Sequence, residues 1–268
     1  MNLVSLGFRT DIALLQSGGS EVDDRGDHLV VRSPHNPTHW WGNFLLLAQV
    51  PAPEDSGLWL ERFAAAFPGA THVALGFDGT HGSVVDLEWF TEHGFEAEAQ
   101  TVMTAYKVHR PGHHNAEAEC RRLSSDDDWA QSIELRMRCD DRFLDQASHR
   151  SFVVAKAETN RELVESGKGA WFGALLGGRL VSQMGLLSAG SGLARFQTVE
   201  TDPDFRRQGL AGSLVHHASL YGFDVLCART LVMVADPNYF AIDLYRAVGF
   251  VASEAQLQIE RAPSGSMR

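Results

Sequence analysis

Short apolar runs alternate along the chain with segments whose apolar residues recur at helical spacing. In the first 110 residues "HLVVRSP", "GNFLLLAQV" and "THVALGFD" predict strands. "GLWLERFAAAFPG" has the three- and four-residue spacing of a helix and stops at Pro68-Gly69. "SVVDLEWFTEHGF" predicts a helix ending at Gly94, and "AQTVMTAYKV" a strand running to Val108. The clearest break follows at residues 109–119, "HRPGHHNAEAE", where Pro, Gly, Asn and His collect.

Beyond the break, "SSDDDWAQSIELRMR" opens with Ser and Asp residues that favour a helix N-terminus. "SFVVAKAETNRELVES" predicts a second helix, ending near Gly167. Three strands follow, "AWFGALLGG", "RLVSQMGLLS" and "LARFQTVET", joined by glycine-rich turns. The chain closes with a helix ("GLAGSLVHHASLYGF"), a strand ("TLVMVA"), a helix ("NYFAIDLYRAVGF") and a last strand. This order predicts an α/β fold with a mixed central sheet flanked by helices. Two segments resemble each other, "EWFTEHGF" and "DLYRAVGF", with the final Gly-Phe in register. They suggest a tandem duplication, with domains expected at residues 1–110 and 117–262.

Charge narrows the partners. With 23 Lys and Arg against 34 Asp and Glu the net charge is −11, which opposes general binding to nucleic acid. A hydrophobic share of 44% is enough for a sizeable core. Cys120, Cys139 and Cys227 are widely spaced and form no CxxC, so neither a disulfide framework nor a metal site is expected. The opening residues lack a leader-like pattern, and no run reaches the ~20 apolar residues of a membrane span. The expectation is a soluble cytoplasmic protein that needs no metal and has no nucleic-acid or membrane partner.

One cationic stretch stands out. "FQTVET" leads through the turn "DPDF" into "RRQGLA" and then a helix. The first turn of a helix carries unpartnered N–H groups and a partial positive charge. Gly209 permits positive φ and close approach of an anion, while Arg206 and Arg207 add charge at the same point. Together they form a seat for a phosphate or diphosphate. Neither GxxxxGK[ST] nor GxGxxG is present.

"VETDPDFRRQGLAG" resembles the acetyl-coenzyme A (acetyl-CoA) signature of the GNAT superfamily of N-acetyltransferases, with Arg206, Gly209 and Ala211 at the pattern positions. A second family motif is matched by "NYFAIDLYRAVGF", through Asn238, Tyr245, Gly249 and Phe250. The resemblance covers residues 118 to about 262 well and the first part loosely. It implies that the backbone of Val199, Glu200 and Thr201 holds the pantetheine arm as an added strand. It also implies that the amides of Arg207, Gln208, Gly209, Leu210, Ala211 and Gly212 cradle the diphosphate. A bulge that splays the preceding strand would leave amides to hold the thioester carbonyl. Tyr245 takes the place of the general acid, and Asn238 would bind cofactor backbone or order water. Glu200 is the candidate base, although Arg195 stands near where some members place their glutamate.

The expected activity is direct transfer of acetyl from acetyl-CoA to an amine. Another acyl-CoA donor, a non-catalytic CoA-binding module and a purely structural partner protein are the alternatives. Phe90 is the counterpart of Tyr245 in the first part, which also lacks an RxxGxG/A-like segment, so that half is expected to be degenerate. The acidic loop "CDDRFLD", 139–145, is a candidate wall for a cationic acceptor. His216 and His217 are expected to be one packed and one exposed, and "HNPTHWW" a loop with buried indoles.

Overall fold

The computed structural model describes residues 1–140, 146–239 and 241–262. The elements run α1 (Leu6–Ser17), β1 (Glu21–Asp24), β2 (His28–Arg32), β3 (Phe44–Leu47), α2 (Pro53–Ala66), β4 (Val73–Phe77), α3 (Glu88–Glu92) and β5 (Glu96–Ala105). They continue with β6 (Glu119–Arg122), α4 (Asp126–Cys139), α5 (Gln146–Glu165), β7 (Gly169–Leu176), β8 (Arg179–Gly190) and β9 (Leu193–Thr201). The last are α6 (Leu210–Asp224), β10 (Thr230–Ala235), α7 (Ala241–Val248) and β11 (Val251–Arg261). The expected mixed sheet flanked by helices is present. Helix α1 and the short strands β1 and β6 were not anticipated, and the helix expected over 83–95 is a 3-10 turn, Val84–Leu87, followed by the brief α3.

The chain forms two compact units: residues 1–102 with the segment from Ser253 onward, and residues 103–252. This partition differs from the expected 1–110 and 117–262 at both borders. The linker at 109–118 packs within the second unit, and the last strand within the first.

In the first unit the strand order is β1-β2-β3-β4-β11-β5. Strands β1, β2 and β3 pair antiparallel, β3 and β4 parallel, and β4 and β11 antiparallel. Phe63, Leu75, Phe77, Phe90 and Ile259 fill one side of it. Helix α1 is capped by Ser5, whose hydroxyl accepts from the Phe8 N–H at 3.0 Å, and it buries Phe8 and Ile12 against Leu46 and Ala74 on another side.

The second unit orders its strands β10-β9-β8-β7-β6, with β9, β8, β7 and β6 antiparallel and β10 parallel to β9. Its core joins Phe172, Met184 and Phe196 on the strands to Leu214, Val215 and Val248 on α6 and α7. Helix α4 begins as its sequence predicts. Ser125 caps it, and Asp128 closes a reciprocal capping box.

The paired Gly-Phe segments have matching geometry. After α3, Gly94 (φ +78°) donates to the Thr91 carbonyl at 3.1 Å and Phe95 to that of Phe90 at 3.0 Å. After α7, Gly249 (φ +117°) donates to Arg246 at 3.0 Å and Phe250 to Tyr245 at 3.1 Å. Each glycine takes the left-handed position that ends a helix, and each following phenylalanine is buried.

Candidate active site

Strand β9 is irregular where the site begins. Gln183 pairs with Glu200 and Gly185 with Gln197, so two residues of β9, Thr198 and Val199, oppose Met184 of β8. Thr198 adopts φ +52°, a conformation that a β-branched residue resists. This is a β-bulge, and it turns the strand away from its neighbour. On the other edge the parallel ladder to β10 runs from Leu193–Thr230 to Arg195–Val232 and ends. Strand β9 continues to Thr201 and β10 to Ala235. A wedge therefore opens between two strands that point the same way, with main-chain groups of β9 along one side.

The chain then turns through Pro203–Phe205. Buried Asp202 anchors the turn, accepting from the Asp204 N–H at 3.1 Å, Arg138 Nε at 2.9 Å and Arg179 Nη2 at 2.8 Å. Burial would raise its carboxyl pKa, but these bonds outweigh that and lower it. In the loop ahead of α6, Arg207 (φ +64°) and Gly209 (φ +74°) are both left-handed. Gly209 is the N-cap and offers no side-chain partner. Ser213 is the first to donate back into the helix, to the Gly209 carbonyl at 3.1 Å, so the amides of Leu210, Ala211 and Gly212 have no helical acceptor. The glycine has a second role not anticipated from sequence. A Cβ there would lie 2.8 Å from the His114 carbonyl carbon, so the linker backbone occupies the place of a side chain.

A cavity of about 750 Å³ joins these parts within the second unit. Val199, Glu200 and Thr201 line it from the strand, and Arg206, Arg207 and Gly209 from the loop. Leu210, Ala211 and Gly212 line it from the first helical turn, and Tyr245 from α7. Two expected residues stand apart. Gln208 and Asn238 are exposed and do not line the cavity; the Asn238 N–H is held by Asp236 Oδ1 at 2.8 Å.

The Glu200 side chain is 8% exposed, with one carboxylate oxygen paired to Arg136 and the other accepting from Gln183 Nε2 at 3.0 Å. Burial pushes its carboxyl upward, and the attraction of Arg136 only partly offsets this. Arg136 also reaches Asp140 at 3.2 Å, so α4 brings one cation between two carboxylates at the cavity wall. Sequence reading missed Arg136; its only local signal is the i,i+4 spacing to Asp140. Cys139 lines the same wall, and burial first, then the neighbouring Glu200 charge, push its thiol up to about 12.

Tyr245 is 6% exposed, and its hydroxyl forms no hydrogen bond among the described residues. Burial raises the phenol well above its ordinary value, with Tyr239 adding to the effect. Arg195, on β9 ahead of the bulge, is buried.

Of the acidic loop, residues 141–145 lie outside the described residues, while Asp140 and Cys139 reach the cavity. His216 is half-buried and His217 exposed at the edge of Phe172. Trp40 and Trp41 are half-buried, and Trp41 Nε1 donates to Glu260 at 2.7 Å. Among the described residues no cluster of His, Cys, Asp or Glu could hold a metal ion. None of the described helices is long and apolar enough to cross a membrane.

Residues 126–250 match the model of the acetyltransferase (GNAT) family. This part of the chain is a GNAT acyltransferase domain. Solved structures share the fold across nearly the whole chain. A GCN5-related N-acetyltransferase from Kribbella flavida is 16% identical over 97% of this chain and 98% of its own, with a TM-score of 0.64. A conserved protein of unknown function from Staphylococcus epidermidis is 14% identical over 91% and 95%, at 0.66. A tandem GNAT protein from the clavulanic acid biosynthesis pathway is 14% identical over 93% and 87%, at 0.55. No curated protein matches the chain significantly. The wedge, the loop and Tyr245 all fall inside the span matched to the GNAT family.

Proposed function

We propose that the second unit transfers acetyl from acetyl-CoA to a primary amine in a single direct step, and that the first unit is a degenerate copy of the same fold. The observation that carries this reading is the stretch of β9 beyond its ladder to β10, whose Val199, Glu200 and Thr201 line the same cavity as Tyr245 and the first turn of α6. A pantetheine arm is an extended chain of amides and can complete the unpaired edge of β9 as an added strand would. The amides of Leu210, Ala211 and Gly212, with Arg206 and Arg207, suit the diphosphate.

The residues then divide the chemistry. The acceptor must attack as a neutral amine, and an alkylammonium has a pKa of ~10.4. Glu200, raised by burial, takes up its proton. As the new C–N bond forms and the C–S bond breaks, unpaired amides near the bulge hold the carbonyl oxygen. Tyr245 gives its hydroxyl proton to the departing thiolate. Cys139 is kept as a neutral thiol, which favours direct transfer over an acyl-cysteine route.

The test is calorimetry with acetyl-CoA followed by thiol release against a panel of amines. Binding with amine-dependent thiol release is expected. Binding without release for every acceptor would instead support a CoA-binding module, and faster release from another acyl-CoA would reassign the donor.

A further inference from the structure

The linker, residues 109–118, has no role in the function proposed above, yet in the second unit it lies against the loop that opens α6. Asn115 makes four bonds there, two across to α6 and its loop and two within the linker. Its backbone N–H donates to Ser213 Oγ at 2.9 Å, and its Nδ2 to the Gln208 carbonyl at 3.0 Å. Its Oδ1 accepts from the N–H groups of Glu117 at 2.9 Å and Ala118 at 2.8 Å. Because two amides require an oxygen at that end, the nitrogen must face Gln208. The fit is close on either side. A Cβ on Gly209 would lie 2.8 Å from the His114 carbonyl carbon, and one on Gly212 3.3 Å from Pro111 Cγ. Pro111 and His113 continue from this contact into the cavity wall.

Gln208 lies between two left-handed residues, Arg207 at φ +64° and Gly209 at φ +74°. A backbone turned in this way presents N–H groups to one side as an anion-binding concavity. A non-glycine residue resists that conformation, so Arg207 is held there at a cost while the Gln208 carbonyl beside it is bonded to Asn115.

We propose that Asn115 is a positioning residue for CoA binding: by gripping the Gln208 carbonyl, it keeps the amides entering α6 aimed into the cavity before the diphosphate arrives. The inference rests on the CoA reading above and extends the cofactor site to a linker that the family motif does not include.

The test is calorimetry on the full chain with CoA and with pantetheine, which lacks the phosphates. Asn115→Ser keeps an acceptor for the two amides but is too short to reach Gln208. It is expected to weaken CoA about 3- to 10-fold, the effect of one hydrogen bond, and to leave pantetheine affinity unchanged. Equal CoA affinity in variant and parent, or equal weakening of both ligands, overturns the inference and leaves the proposed function standing. No CoA binding by the parent overturns both. Should the serine variant fail to fold, the uncharged Asn115→Thr separates the same outcomes, since its hydroxyl retains an acceptor and it too is short of Gln208.

Discussion

Each unit runs a strand into a helix and back into a parallel strand, β3-α2-β4 in the first and β9-α6-β10 in the second, but the two motifs close differently. In the first, the ladder from Leu45–Leu75 to Leu47–Phe77 is complete to the last residue of both strands. The Asp78 N–H then closes onto the Leu47 carbonyl at 2.7 Å. In the second, the ladder stops six residues before β9 ends. The helix starts differ as strongly. Helix α2 begins with Pro53, Glu54 and Asp55, whose negative charge repels an anion. Helix α6 begins after two arginines and a left-handed glycine, with no acidic residue in its first turn. Phe90 is buried and has no proton to give where Tyr245 has one. The fold thus provides only a place for the site. On the proposed reading, a bulge, a helix start free of acidic side chains and one hydroxyl convert that place into chemistry.

That contrast can be broken most severely at Gly209. Gly209→Val must place a branched side chain at φ +74° and against the linker backbone, and CoA affinity by calorimetry is expected to fall roughly 100-fold or more. Unchanged affinity would remove the phosphate seat from the second unit. Next is Tyr245→Phe, expected to lower turnover roughly 100-fold with the Kd for CoA and the Tm preserved, since the hydroxyl supports no bond in the fold. A loss of stability in parallel would make the residue structural. The reciprocal Phe90→Tyr should add no activity.

A smaller effect is expected from Arg136→Met. Burial already raises the Glu200 carboxyl, so its basic form exists only above that raised value and activity increases with pH through it. Removing the cation raises it further. The acid limb of the kcat–pH profile should move to higher pH, and the activity lost should return as the pH is raised. An acid limb that stays in place would mean Glu200 is not the base. The mildest is Glu54→Gln with Asp55→Asn, expected to leave CoA affinity unchanged; tighter binding would show that the first unit retains a phosphate site.

Much of this was legible because it is local. The turn at Pro203, the glycine before α6 and the Gly-Phe ends of α3 and α7 each depend on a few adjacent residues. The bulge was not locatable from its residues, since Thr198 carries neither the glycine nor the proline that marks irregular backbone. Arg136 meets Glu200 across 64 positions of chain and Asn115 meets Ser213 across 98, distances over which no periodicity carries a signal. Helix α1 carries little local signal, with no acidic residue in its first turn and no basic residue in its last. The exposed placement of Asn238 depends on a backbone bond to Asp236 that its motif does not reveal.

Strand β11 carries a consequence for synthesis. It seals β4, pairing Leu257 with Phe77 and Arg261 with Val73, and it is translated after every other strand of its unit. While the ribosome works, β4 waits with a bare edge, and the unit encoded first is the one finished last. A stop codon after residue 252 would therefore injure the beginning of the protein more than its end.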